Sequence, residues 1–491
     1  MVCLGAARTW RKRSGPAERA AECRTHVRER EKPSRKSGTG FAHLRAGLRR
    51  PGAAPAPPIF IHTFWRGGGT YLWSKFRACP DTLAFYEPFN ESLGTGSRAQ
   101  LLAKTSRSWP SKHPLLHAPY MAEYAPLLTA RGLRLFRKEF TTATFFLERG
   151  SGLPEAQCRY ISSLLDHARR SGRRPVLGFS RSLGRLAGLR RAFDASHIVL
   201  LRNPAHQWMS CFAQCRDHGN DYFLIMHLMV VGQNRHHPIL SAVAERYDIP
   251  LIERRTFEEE VEGYRDISLR LDLEASYRVF LALFVAAYLE ALPYSDLVVD
   301  MDLLGRGAYR RQIERRIRGL TRLSLDLGDA AMPAYALPAV GVDFARCHAE
   351  VLDDVVRYCE TLPLSRLHGA RDAAEWSLFV LRAKIEEASR GYLDELRAEK
   401  ERNDAAGRQG GAAPIMANGE AMLLSARLSQ TAIRLKAAEA RLDALKQSTS
   451  WRAMAPLRRL VDLFRRMGSR SRDAGSSPAT SKKAAPHAAR G

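Results

Sequence analysis

PPIFIHTFWRGGGTYLWSKFR, residues 57–77, decides the fold. Its short apolar run, residues 59–63, reads as a buried strand, and residues 70–77 read as a helix rich in Leu, Trp and Phe. Three successive glycines join them. A strand–glycine–helix joint lets backbone approach a ligand closely, and the first N–H groups of the helix carry partial positive charge. Arg66, directly before the glycines, adds a full charge and a two-pronged donor. The turn therefore reads as an anion site with phosphate as its natural occupant; the alternative is a glycine-rich turn beside a surface arginine. The ordinary nucleotide-hydrolase loop, Gly-x-x-x-x-Gly-Lys-Ser/Thr, is absent from the sequence, which disfavours ATP or GTP hydrolysis.

The same alternation continues outward. Residues 155–170, 183–193, 204–215 and 274–292 read as helices, and residues 175–179, 197–201, 249–253 and 297–300 as strands. Strands alternating with helices predict an α/β fold, a parallel sheet flanked by helices on both faces. Residues 1–57 are rich in Arg, Lys, Gly, Ala and Pro without apolar periodicity, and are expected to be a disordered basic extension. A large α/β domain is expected over 58–375, then a charged amphipathic helix over 376–403 and a linker over 404–419. Over 420–466, Leu424, Leu428, Leu435, Leu442 and Leu445 fall near heptad positions and suggest a short coiled coil, followed by a Trp-Arg segment. Residues 467–491 are expected to be a disordered basic tail.

The chain of 491 residues carries 77 Lys and Arg against 51 Asp and Glu, a net charge of +26, so acidic partners are expected. Nucleic acid is disfavoured because neither zinc-ligand spacing nor an aromatic RNA-binding motif is present. Eight cysteines without staple-like spacing suit a reducing compartment; Cys211 and Cys215, one helical turn apart, read as half-buried thiols rather than metal ligands. The start of the chain lacks a long apolar signal segment, and the longest apolar run, residues 279–289, is shorter than the roughly 20 residues a spanning helix needs. A cytoplasmic protein is expected, with its tail a candidate contact for the inner membrane.

A second stretch carries chemistry. In HIVLLRNPAHQWMS, residues 197–210, a strand delivers Arg202 at its carboxyl end, where ligands of open α/β sheets bind, and Ser210 follows eight residues later inside the next helix. A buried ion pair is the alternative role for Arg202. Together the two stretches resemble the sulfotransferase family that uses 3′-phosphoadenosine 5′-phosphosulfate, over about residues 58–300. In that family a strand–loop–helix, Lys or Arg followed by Ser/Gly, Gly and two hydroxyl residues, grips the 5′-phosphosulfate. Arg66, Gly67, Gly68, Gly69 and Thr70 match it, except that Gly69 replaces a hydroxyl residue, and Tyr71 completes the loop. Arg at the first position leans towards the carbohydrate branch. Arg202 and Ser210 match the family's 3′-phosphate pair; its second 3′-phosphate loop is not found.

Within FYEPFNE, residues 85–91, the resemblance makes Glu87 the general base on an acceptor hydroxyl, as removal of that proton requires. Glu91 is the fallback, with His113 and His117 more distant candidates, and an ion pair with a neighbouring arginine is the alternative role for Glu87. Arg181, in GFSRSLGR, is a candidate cation facing the transferring group, or else a salt-bridged arginine. The implied chemistry is in-line displacement by positioning and charge stabilisation, with no metal required. The segment STSWRAMAPLRRL, residues 448–460, looks like a motif that follows short coiled coils in bacterial glycosyltransferases and other surface-polysaccharide enzymes. It favours a glycan or glycolipid acceptor, with self-association through the coiled coil. The competing readings are a kinase-like phosphate-loop enzyme and a degenerate scaffold of the same fold.

Overall fold

The computed structural model describes residues 56–108, 113–130, 132–148, 150–360 and 370–409. The coiled coil, the Trp-Arg segment and both basic ends lie outside the described residues. Seven strands are present among them: β1 (Ile59–His62), β2 (Thr82–Tyr86), β3 (Leu128–Thr129), β4 (Gly132–Leu133), β5 (Arg174–Phe179), β6 (Ser196–Leu201) and β7 (Leu297–Asp300). The helices in chain order begin with α1 (Gly69–Arg77), α2 (Ser92–Thr95), α3 (Arg98–Ala103), α4 (Glu155–Arg170), α5 (Leu186–Ala192) and α6 (Pro204–His218). They continue with α7 (Tyr222–Gln233), α8 (Pro238–Arg246), α9 (Phe257–Arg270), α10 (Leu273–Ala291), α11 (Gly307–Thr321), α12 (Phe344–Glu360) and α13 (Ala370–Gln409).

The chain divides into two compact units. The first comprises the described residues up to Arg202 together with Cys211–Ile267 and Ala286–Pro333. The second gathers Asn203–Ser210, Ser268–Val285 and the described residues from Ala334 onward. Helices α6 and α10 each contribute residues to both units.

The first unit is built on a five-stranded sheet, order β2–β5–β1–β6–β7, with every neighbouring pair parallel. β1 and β6 are buried along their whole lengths, the signature of a sheet covered on both faces. Phe60, Leu72, Trp73, Phe85, Val176 and Leu200 belong to its core. The connection leaving β1 passes over β5 to reach β2, whereas those leaving β5 and β6 run the opposite way. The crevice beside the carboxyl end of β1, where ligands of such sheets collect, is therefore flanked by the turns after β1 and β6. A small antiparallel pair, β3 with β4, lies apart from the main sheet.

Two expectations fail. Residues 249–253 form no strand: Arg235 donates to the Ile249 carbonyl, and the Tyr264 hydroxyl both donates to Pro250 O and accepts from Ile252 N, at 3.1 Å each. Side chains satisfy a backbone that a sheet ladder would otherwise hold, and Pro250 brings no N–H to a ladder. Conversely β2, unrecognised in the sequence, is the edge strand beside β5. The helix expected at 376–403 is longer, α13 continuing to Gln409 through the first part of the expected linker.

The helix Leu273–Tyr294 is long and apolar enough to cross a membrane, contrary to the reading of a run too short to span. Its most apolar window is 78% buried, as in the core helix of a globular unit. In the second unit, Tyr277 packs edge-on against Trp208 and Phe344. A directional hydrogen-bond chain crosses that core: the Ser389 hydroxyl donates to Ile385 O, so it accepts from His348 Nδ1 at 2.7 Å, leaving Nε2 to accept from the Tyr277 hydroxyl at 2.5 Å. Burial keeps His348 neutral, pushing it down to about 3.

Candidate active site

The turn after β1 adopts a backbone that few sequences tolerate. Arg66 has φ +61° and Gly68, capping α1, φ +91°. A Cβ on Gly68 would lie 2.7 Å from Met301 Cε, so close approach as well as conformation demands glycine there. The Gly68 carbonyl accepts from Tyr71 N and Leu72 N, and no side chain caps the helix. The first amides of α1 therefore have no side-chain acceptor at the cap.

Gly69, where the family pattern has a hydroxyl residue, has a steric explanation. A Cβ there would meet Thr63 Cγ2 at 2.6 Å. The buried Thr63 methyl occupies the space that a serine or threonine side chain would need.

Arg202, at the end of β6 and 2% exposed, clasps this turn. Its Nη1 donates to Arg66 O at 2.8 Å and its Nη2 to Pro333 O at 2.6 Å, while Asp302 lies 3.9 Å from Nε. The two stretches singled out in the sequence, 136 residues apart, therefore meet at the carboxyl edge of the sheet. Burial pushes the Cys211 thiol up to about 12 against the opposing pull of Arg66 and Arg202. The high value suits an inert, buried thiol, and among the described residues no cluster of His, Cys, Asp and Glu could hold a metal. Ser210 is buried within α6, in the second unit.

Arg66 is held by a residue given only a distant role in the sequence. Its Nη1 donates to His113 Nε2 at 3.1 Å, which fixes His113 as neutral, with Nδ1–H donating to the Tyr120 hydroxyl at 2.9 Å. Burial, reinforced by the Arg66 charge, pushes His113 down to about 3. The Arg66 guanidinium also stands 5.4 Å from the centre of the Phe223 ring. Thr70 shares a 2.8 Å hydrogen bond with the Tyr86 hydroxyl. Tyr71, expected in the loop's ligand contacts, instead donates to Asp329 at 2.7 Å. Its neighbour in the helix, Lys75, pairs with the same carboxylate, which draws both side chains to the 325–330 segment.

Glu87 and Arg181 are brought together. β2 pairs with β5 so that Glu87 N donates to Gly178 O at 2.7 Å, three residues before Arg181. Arg181 Nη1 then donates to Glu87 at 2.7 Å, and Nη2 to Glu91 at 2.9 Å and to the Tyr222 hydroxyl at 2.5 Å. Both carboxylates named in the sequence thus converge on one arginine, which is 1% exposed and stands 5.4 Å from the Trp65 ring centre. Burial alone would raise the Glu87 carboxyl. The Arg181 charge, with hydrogen bonds from Asn90, Arg181 and Ser180, outweighs it and holds Glu87 ionised below its ordinary range. Glu87 also has φ +43°, so two of the four non-glycine residues with positive φ among those described, Arg66 and Glu87, are site positions chosen from sequence. Backbone strain of that kind collects at functional sites.

Tyr222, Asn90, Tyr86 and Met301 were not legible as site residues. Tyr222 and Met301 sit in stretches with no motif, and their roles exist only through partners distant in sequence; Tyr86 and Asn90 lie within the 85–91 stretch, where Asn90 donates to Glu87 and Tyr86 meets Thr70. His117 is exposed and has no contact with the cluster. Comparisons with protein families, with curated proteins and with solved structures find no match to this chain.

Proposed function

We propose that the protein is a sulfotransferase that moves a sulfuryl group from 3′-phosphoadenosine 5′-phosphosulfate to a hydroxyl of a glycan or glycolipid. The observation that carries this reading is the Arg202–Arg66 contact, which sets the two cationic motif turns side by side at the carboxyl edge of a parallel sheet. The residues present suit the donor. The start of α1 with Arg66 offers an anion cradle for the 5′-phosphosulfate, and the resemblance assigns Arg202 to the 3′-phosphate.

In the reaction the acceptor oxygen attacks sulfur as the bond from sulfur to the bridging phosphate oxygen breaks. Arg66 stabilises the negative charge that builds on that leaving oxygen. Glu87, kept ionised by Arg181, receives the acceptor proton as the new O–S bond forms. Because that pairing makes Glu87 a feeble base at rest, the proton moves late, once the attacking oxygen has become acidic through bonding to sulfur.

Calorimetry with 3′,5′-adenosine bisphosphate, beside ATP, tests the reading. Micromolar or tighter binding of the bisphosphate, weakened at least tenfold by Arg66→Ala, is expected. Absence of binding, or a preference for ATP, overturns it in favour of a scaffold or kinase-like role.

A further inference from the structure

Helix α11 carries an arrangement the donor site does not use. Its buried face is Ile313, Ile317 and Thr321. Arg311, Arg315 and Arg318 recur at intervals of four and three on the exposed side, and Arg322 follows at the carboxyl cap. Arg316 is exposed as well. None of these five makes an ion pair or side-chain hydrogen bond among the described residues. The acids nearest in sequence are engaged with backbone: Glu314 accepts from Leu327 N at 3.0 Å and Asp326 from Gly328 N at 2.8 Å. Like charges at such spacing destabilise a helix, so an uncompensated row of four works against the fold's own stability. A ligand that brings the opposite charge removes that penalty.

The row has a direction. α11 starts six residues after Met301, the side chain that lies against Gly68 in the candidate donor turn. Its far end is at the opposite edge of the sheet, where Arg174, the first residue of β5, donates to Thr321 O. The arginines therefore run from the side of the candidate site down the length of the sheet, about 16 Å from Arg311 to Arg322 at helical rise.

We propose that this row is a track for a linear anionic glycan, whose sulfate or carboxylate groups are taken two-pronged by successive guanidinium forks. The choice of a glycan rests on the sulfotransferase reading. Two features of the helix favour it over other polyanions. No aromatic side chain is exposed between the arginines to stack bases. No exposed Trp, Phe or Leu lies among them to enter a bilayer.

The test compares the full chain with the triple variant Arg311→Gln, Arg315→Gln, Arg318→Gln, whose positions are exposed and leave the core untouched. Dextran sulfate is the probe, with neutral dextran, duplex DNA and phosphatidylserine vesicles alongside, each titrated over a range of salt. Expected is tight, salt-sensitive binding of dextran sulfate that the triple variant weakens at least tenfold, with a shallower salt dependence. Equal binding by the variant would overturn the track, since the charge then resides elsewhere in the chain. Binding of DNA or vesicles in preference to dextran sulfate, lost in the variant, would overturn the glycan assignment. Binding of 3′,5′-adenosine bisphosphate is measured on both proteins. If it is absent while the variant still loses dextran sulfate, the donor-site reading fails and the track stands.

Discussion

The Arg202 guanidinium donates to the backbone carbonyl of Arg66 at 2.8 Å, tying the end of β6 to the turn after β1. Its second prong holds Pro333 O. A planar fork meets two carbonyls at once, which an ammonium on a flexible stem does not. Arg202→Lys is therefore expected to cost about 1.5–3 kcal/mol, one charged hydrogen bond, and Arg202→Met roughly twice that. Urea unfolding measures both. An unchanged midpoint in the lysine variant would show that the clasp holds nothing.

Gly69→Ser restores the hydroxyl of the family pattern but sets a Cβ against Thr63 Cγ2. Overpacking of that kind costs about 1–3 kcal/mol. Thr63→Ser removes the methyl and keeps the hydroxyl that donates to Phe64 O at 3.0 Å. The double variant should recover most of the loss, a coupling measurable in a double-mutant cycle. Strictly additive costs would mean that the Thr63 methyl is not what excludes the side chain.

Arg181 serves two carboxylates and a phenol, whereas Glu87 serves one arginine, one amide and the Ser180 hydroxyl. Arg181→Met strands Glu87 and Glu91 together and is expected to destabilise by about 3–5 kcal/mol. Glu87→Gln leaves Arg181 paired with Glu91 and should cost less than half as much. On the proposed reaction, Glu87→Gln lowers sulfuryl transfer at least a hundredfold with bisphosphate affinity retained. A parallel loss of binding and turnover would instead assign Glu87 a purely architectural role.

The sheet interior holds a pair of neutral histidines. His62 Nε2 and His197 Nδ1 share a 3.0 Å hydrogen bond, and His62 Nδ1 meets the Ser182 hydroxyl at 2.7 Å. Burial, then the neighbouring His197, pushes His62 well below 6.5, and burial brings His197 to about 4. The unfolded chain takes up these protons near 6.5 and the folded chain does not. Stability is thus complete above that value and falls as the pH drops towards 4, by about 1.4 kcal/mol per pH unit for each histidine. The Glu87 depression adds to the loss only below its ordinary value of 4.5, so the two windows are separable. Urea midpoints at several pH values from about 7 to about 5 should decline in the native chain and decline less in His197→Gln. Parallel declines would remove the pair as the cause.

What the amino-acid sequence determined by itself is what near neighbours decide. The apolar run at β1, the glycines and Arg66, the β-branched run at β6 ending in Arg202, and the periodic faces of α4 and α10 all follow from residues within a turn or two of one another. Those patterns sufficed for a parallel α/β sheet. The tertiary structure decided what depends on closing long stretches of chain. β2 was hidden because its six-residue neighbourhood is ambiguous, and it exists as a strand through β5, some ninety residues on. Residues 249–253 have strand-like composition but pair with no strand, and the side chains of Arg235 and Tyr264 satisfy their backbone instead. Glu87 and Arg181 were each legible as charged candidates, yet their pairing across 94 residues sets the protonation of one and the position of the other. Gly69 looked like a defect in a motif until Thr63 was seen to fill its space. Local preference is summed over a few residues. Partner choice and steric exclusion are set by which distant segments the packed core brings within a few ångströms, and no short window of sequence contains that information.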